Sequence, residues 1–179
     1  MLEGLQKLAD DISTLAIEVI AMEWRAQGHE LTGSAVKQME TMVKFEINTL
    51  VIEGLVPDYM AINNSGVTAA RIAYTPNSGN KTSKYISGLI EYAKKRMGKS
   101  DKEAKSVAFA IASKHKREGM PTKASARFSS TGRRTGFIEI ALEKNSQKFI
   151  DLIEASIRFS VEATIESFYK SILNRRKFC

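Results

Sequence analysis

Cysteine is nearly absent from this 179-residue chain: one residue, Cys179, stands at the last position. That excludes an internal disulfide, a cysteine metal framework and a Cys-x-x-Cys redox pair, and it is compatible with a reducing compartment. Imidazoles are almost as scarce. His29 and His115 are the only two, and His115 lies among Lys114, Lys116 and Arg117, a poor setting for a metal cation. No apolar run approaches the ~18 residues a bilayer span needs. The N-terminus is acidic and amphipathic, unlike the basic flank and apolar core of a secretory signal, so no membrane partner is expected.

What remains is the composition of an ordinary globular protein, 43% hydrophobic and 26% charged. The length suits one domain over residues 1–179 with a substantial core. The net charge of +7 is unevenly spread. Residues 1–80 carry 5 basic and 10 acidic side chains, a balance of −5; residues 81–134 carry 15 and 4, a balance of +11; residues 135–179 carry 7 and 6. Two surfaces of opposite sign suit nucleic acid on the basic side or head-to-tail contact between identical subunits. A solvated lysine-rich face is the plainer alternative.

Periodicity predicts a helix over residues 2–27, where Leu5, Leu8, Ala9, Ile12, Leu15, Ala16, Val19 and Met22 recur at three- and four-residue spacing and Gly28 supplies a stop. Thr32 or Ser34 caps a short helix reaching about Met42. Alternation with β-branched residues predicts a strand over 43–53, and Asn63-Asn64-Ser65-Gly66 reads as a hairpin turn between strands at 59–62 and 67–74. A helix capped by Thr82 or Ser83 runs to Gly98, and the capping box of Ser100 and Glu103 opens another that ends near Glu118, making an α-hairpin. Phe149, Ile150, Ile153, Ile157, Val161, Ile165, Phe168 and Ile172 predict a long helix over about 145–174, with a strand at 157–165 as the alternative. The fold class is therefore α+β: a small antiparallel sheet or meander packed by several helices, with a long loop and a long C-terminal helix.

That loop, residues 119–136, is the stretch around which the chain is organised. It follows the break at Gly119-Met120-Pro121, has neither period, and carries Lys123, Arg127, Arg133 and Arg134 without an acid. A segment that long without regular structure is usually functional or disordered. It is expected to order on a neighbouring subunit, with Met120, Pro121, Arg127, Phe128, Arg133, Arg134 and Phe137 as the contact residues. A basic surface of Lys94, Lys95, Arg96, Lys114, Lys116, Arg117 and Lys123, free of interleaved exposed aromatics, suits phosphate contact more than base stacking.

Chemistry finds little support. His29-Glu30 begins like a zinc-protease helix, but Gly33 stands where the second histidine belongs; Gly79-Asn80-Lys81-Thr82 lacks the glycines of a phosphate loop. Carboxylates are scattered, no Gly-x-Ser-x-Gly elbow occurs, and no nucleophile–base pairing is visible. No catalytic residue, metal or cofactor is expected. A site assembled between subunits would have only His29 and His115 to draw on.

The order of elements resembles the tail-completion and head–tail joining (neck) proteins of tailed double-stranded-DNA phages. The resemblance rests on Leu31-Thr32-Gly33-Ser34 after the first helix, Tyr92-Ala93 with Gly98, and Ala110-Ile111-Ala112-Ser113-Lys114 leading to Gly119-Met120-Pro121-Thr122. Phe128 or Phe137 ahead of Ile140-Ala141-Leu142 completes it, over about residues 1–150. The family's proline before Thr-Gly is missing, the proline loop is longer, and a helix at 82–97 replaces an extended segment. The resemblance implies a non-enzymatic virion protein without cofactor, assembled in the host cytoplasm into a ring of roughly twelve copies. Its partners would be portal or adaptor proteins, tail proteins and, non-specifically, packaged DNA. The competing reading is a nucleic-acid-binding protein, indifferent to sequence, that uses residues 81–134.

Overall fold

A computed structural model describes residues 2–46, 49–76 and 83–175. The fold is α+β and mostly helical: α1 (Leu2–Ala26), α2 (Ser34–Lys37), strands β1 (Glu40–Phe45) and β2 (Leu50–Leu55), α3 (Asp58–Ser65), α4 (Lys84–Met97), α5 (Asp101–Glu118), α6 (Phe137–Lys144) and α7 (Ser146–Arg175). Short 3-10 turns occupy Ala69–Arg71 and Lys123–Phe128.

The core lies where α1, α2, α3 and α6 converge. Trp24, Ala35, Met39, Met60 and Phe137 form it, with Ile17, Ile20, Val36, Val56 and Ile138 packed around. Phe137 stands edge-on to Trp24 with ring centroids 5.0 Å apart, a geometry that aromatic quadrupoles favour. The deep face of α1 therefore turns from Leu8 and Ala9 through Val19 to Trp24, while Leu5 and Met22 of the predicted stripe stay exposed. The helix stops because Gly28 adopts φ +71°. The Phe128 carbonyl oxygen would sit 2.1 Å from a Cβ at that position, so no side chain fits without moving the loop.

The predicted strand over 43–53 is two strands. β1 and β2 pair antiparallel, Glu40 opposite Leu55 through Phe45 opposite Leu50, and Glu46 and Thr49 close the turn by mutual backbone hydrogen bonds. Folding the run back on itself gives each half a partner for its backbone groups, which one long isolated strand would lack. The same extension ends α2 at Lys37, well before Met42.

The predicted strands at 59–62 and 67–74 are not formed. The first is α3, whose opening carbonyl, on Pro57, accepts from the amides of Met60 and Ala61 and whose Met60 is fully buried. Burying Met60 against Trp24 rewards a helical turn, so tertiary packing overrides the turn propensity of Asn63-Asn64-Ser65-Gly66. Asn64 instead caps α6 from another helix: its Oδ1 accepts from the Ile138 amide and its Nδ2 donates to the Glu139 carboxylate.

The α-hairpin forms as predicted. Ser83 Oγ accepts from the Ile86 amide at the start of α4, and Gly98 closes it in a left-handed conformation with Lys99 N–H donating to Ala93 O. Ser100 and Glu103 cap α5 reciprocally. Ala104, Ala108 and Ala112, one turn apart and fully buried, let α4 approach closely. Thr82 and the segment Gly79-Asn80-Lys81 lie outside the described residues, as does Cys179.

Residues 119–136 do not stand away from the chain. Val67 and Met120 exchange backbone hydrogen bonds of 2.6 and 2.8 Å, the Met120–Pro121 peptide is cis, and Lys123–Phe128 coils into a 3-10 turn. Ser130 N–H donates to Ala26 O, Gln27 Nε2 to Thr135 O, and Gly136 N–H to Asn64 O. The irregular segment is fastened at both ends and in the middle to its own core.

The long helix α7 is helical throughout, and the strand alternative at 157–165 is not formed. Phe149, Leu152 and Ser156 are half-buried, and α1 packs alongside, its Gly4 reaching Ser160. From residue 157 to 172 every side chain is exposed.

Candidate functional site: a cationic cavity under the docked loop

The docked loop forms one wall of a half-open cavity of about 540 Å³ between the end of α1, the 28–35 turn, α3 and the α-hairpin. Its walls include Trp24, Tyr59, Leu89, Tyr92, Ile111 and Phe128, and its polar lining includes His29, Arg96, Lys114, His115, Arg127 and Arg134. The volume is that of a small-molecule site.

The cationic groups differ in how they are held. Arg96 Nη1 donates to the Glu30 carbonyl at 2.8 Å, and the Arg127 guanidinium lies 4.8 Å above the Phe128 ring. Arg134 is half-buried with its Nε lacking an acceptor. Its pKa is lowered, foremost by burial; Tyr92 opposes the shift and the like charge of Arg96 adds to it. Among the described residues no carboxylate lies within salt-bridge distance of Arg96, Arg127 or Arg134, whereas Glu30, also in the wall, is taken by Arg25 at 2.7 Å. Lys114 reaches Glu118 at 3.7 Å. Trp24 Nε1 is a second buried donor without an acceptor.

Both imidazoles line this one cavity, a juxtaposition no spacing in the sequence announces. Each is committed. The His29 ring stacks on Trp24 at 4.5 Å and its Nε2–H donates to the Arg134 carbonyl at 3.1 Å. Burial, then the charge of Arg134, lowers its pKa to about 4, against the opposing backbone hydrogen bond, so it is neutral at physiological pH. His115 Nδ1 and the Tyr85 hydroxyl share a 2.6 Å hydrogen bond, and burial lowers the His115 pKa while Glu118 opposes. Burial likewise raises the Tyr85 hydroxyl to about 12. Among the described residues no group of three His, Cys, Asp or Glu gathers as a cation site.

The predicted contact residues separate into three groups. Met120, Pro121, Arg127, Phe128 and Arg134 line the cavity of their own chain. Arg133 is exposed outside it. Phe137 is fully buried in the core, a correction to its expected place in a subunit contact: its ring fills the space beneath Trp24. The predicted basic surface is not one face. Lys94, Lys95 and Arg96 are consecutive in a helix, and ~100° per residue fans them around it. Lys94 pairs with Asp101, Lys95 with Glu91, and Lys116 donates to the Ile72 carbonyl. Lys123 and Arg117 remain exposed.

Trp24 is the wall residue that motif and spacing do not pick out. As the chain's one tryptophan, near the end of the most regular helix, it was the available signal for a site beside the α1 terminus. Among the described residues no helix is long and apolar enough to cross a membrane. No family model, curated protein or solved structure matches the chain.

Proposed function

We propose that this chain is a non-enzymatic structural subunit of the head–tail connector or tail of a double-stranded-DNA phage, assembling as a ring between portal and tail around the DNA path. One observation carries the proposal: the outer part of α7 carries an apolar face that is exposed among the described residues. Ile150, Ile153, Ile157, Val161, Ile165, Phe168 and Ile172 follow spacings of three and four, close to the turn of an α-helix on average, so the stripe runs almost parallel to the helix axis. Ile157 is 57% exposed, Ile165 60% and Phe168 66%. Together the stripe offers on the order of 700 Å² per copy, close to the ~800 Å² each partner contributes to a standard interface.

The contact element in this reading is α7. The loop 119–136 is occupied with its own core and drops out as the strap between subunits. The opposite charge balances of residues 1–80 and 81–134 give a head-to-tail ring its electrostatic sense. Portal or adaptor proteins and tail proteins would be its neighbours, in the virion. The nucleic-acid reading has weaker support, because Lys94, Lys95 and Lys116 are engaged locally while Arg96 and Arg134 line the cavity.

The test is assembly. Light scattering with negative-stain microscopy of the purified chain should give closed rings, and the I165E/F168E double variant should remain a folded monomer. A wild-type chain that stays monomeric at assembly concentrations, alone and with particles lacking it, sinks the proposal.

A further inference from the structure

We infer that the cavity beneath the docked loop is a binding site for a small organic anion, one with an apolar, preferably aromatic, body and a carboxylate or phosphate end. The pocket lies within one chain, so this site does not depend on the connector reading.

Two observations converge. The half-open space, about 540 Å³, is walled chiefly by apolar and aromatic side chains, which hold a hydrophobic body. Arg96 from α4 and Arg127 and Arg134 from the docked loop line it, and no described carboxylate lies within salt-bridge distance of any of them. The like charge of Arg96 acts on the half-buried Arg134, and an anion between the two removes that repulsion and gains charge-assisted hydrogen bonds. Spare positive charge and an apolar wall in one space are complementary to an amphipathic anion. They do not suit a cation or a neutral apolar molecule. His29 and His115, both held neutral, add polar surface without adding charge.

The lone tryptophan reports directly on occupancy. Its fluorescence is followed while the full chain is titrated with 4-phenylbutyrate, with phenyl phosphate and with neutral 4-phenylbutanamide. The two acids should give saturable changes, the better of them identifying the head group, and the amide should bind at least about ten-fold more weakly. R134Q and R96Q should each weaken the preferred acid by about ten-fold while leaving the amide unchanged. The comparison of acid with amide on the unaltered chain decides the matter even if a variant fails to fold. No saturable change with either acid, or an amide that binds as well as its acid, overturns the assignment.

Discussion

The loop 119–136 and the outer half of α7 exchange the roles their sequences suggest. The loop has no period, is rich in Ser, Thr, Gly and Arg, and looks unattached, yet backbone hydrogen bonds fasten it to α1, α3 and Val67. The outer half of α7 has the regular apolar spacing of a core helix, yet its side chains stay exposed from residue 157 to 172. Periodicity specifies which element forms; it does not say whether a partner surface extends far enough to meet it. The start of α1 lies beside Ser160, and beyond that point the side chains of α7 are exposed as far as residue 172. The loop's attachment is carried by main-chain groups, which leave no pattern in side-chain hydropathy.

The sharpest test of that contrast compares two phenylalanines. Replacing Phe137 with Ala removes a fully buried ring and should cost about 3–5 kcal/mol in denaturant unfolding. The same change at Phe168, 66% exposed, should fall within about 0.5 kcal/mol for the monomer while weakening assembly. A large monomer effect at Phe168 would mean that α7 is covered within its own chain.

Next in size, Gly28→Ala should undock the loop. The new Cβ meets the Phe128 carbonyl oxygen at a backbone angle of φ +71°, and a loss of about 2–4 kcal/mol is expected. Trypsin should then cut rapidly after Arg127 and Arg133. Unchanged cleavage and stability would show that the loop is not fixed by this contact.

The smallest effect is a pH dependence. The folded pKa of His29, about 4, lies below its ordinary 6.5, so the folded state prefers the neutral ring. The stability this contributes is complete above pH ~6.5 and is lost as pH falls from there towards ~4, because only the unfolded chain takes up the proton. Allowing for solvent screening at a partly exposed ring, the loss is about 2 kcal/mol. Denaturant midpoints from pH 7.5 to 4.5 should fall more steeply for the wild type than for His29→Gln. Parallel curves would remove the burial argument.

Much of the candidate site was illegible in advance for the same reason that the loop was. His29 and His115 are far apart in sequence, and only the closure of the loop over the α-hairpin places both in one wall. Arg134 was visible as an unpaired charge, and Phe137 as an aromatic beside it; which of them would face a cavity and which would fill the core depended on the turn of α6 against Trp24. The hairpin of β1 and β2 was visible as β-branched alternation, but not its reversal, since alternation continues unchanged in character across a turn. Local propensity places Asn64 in a turn, and its actual partners are Ile138 and Glu139.

By itself the sequence determined the helices α1, α4, α5 and α7, their caps at Ser83, Gly98 and Ser100, and the placing of charge along the chain. These depend on interactions within a few residues, which local spacing encodes. Tertiary structure alone decided the docking of residues 119–136, the conversion of residues 58–65 to helix and the cationic cavity. Those rest on backbone groups and buried rings meeting across long stretches of chain, where the energy lies in the fit between elements.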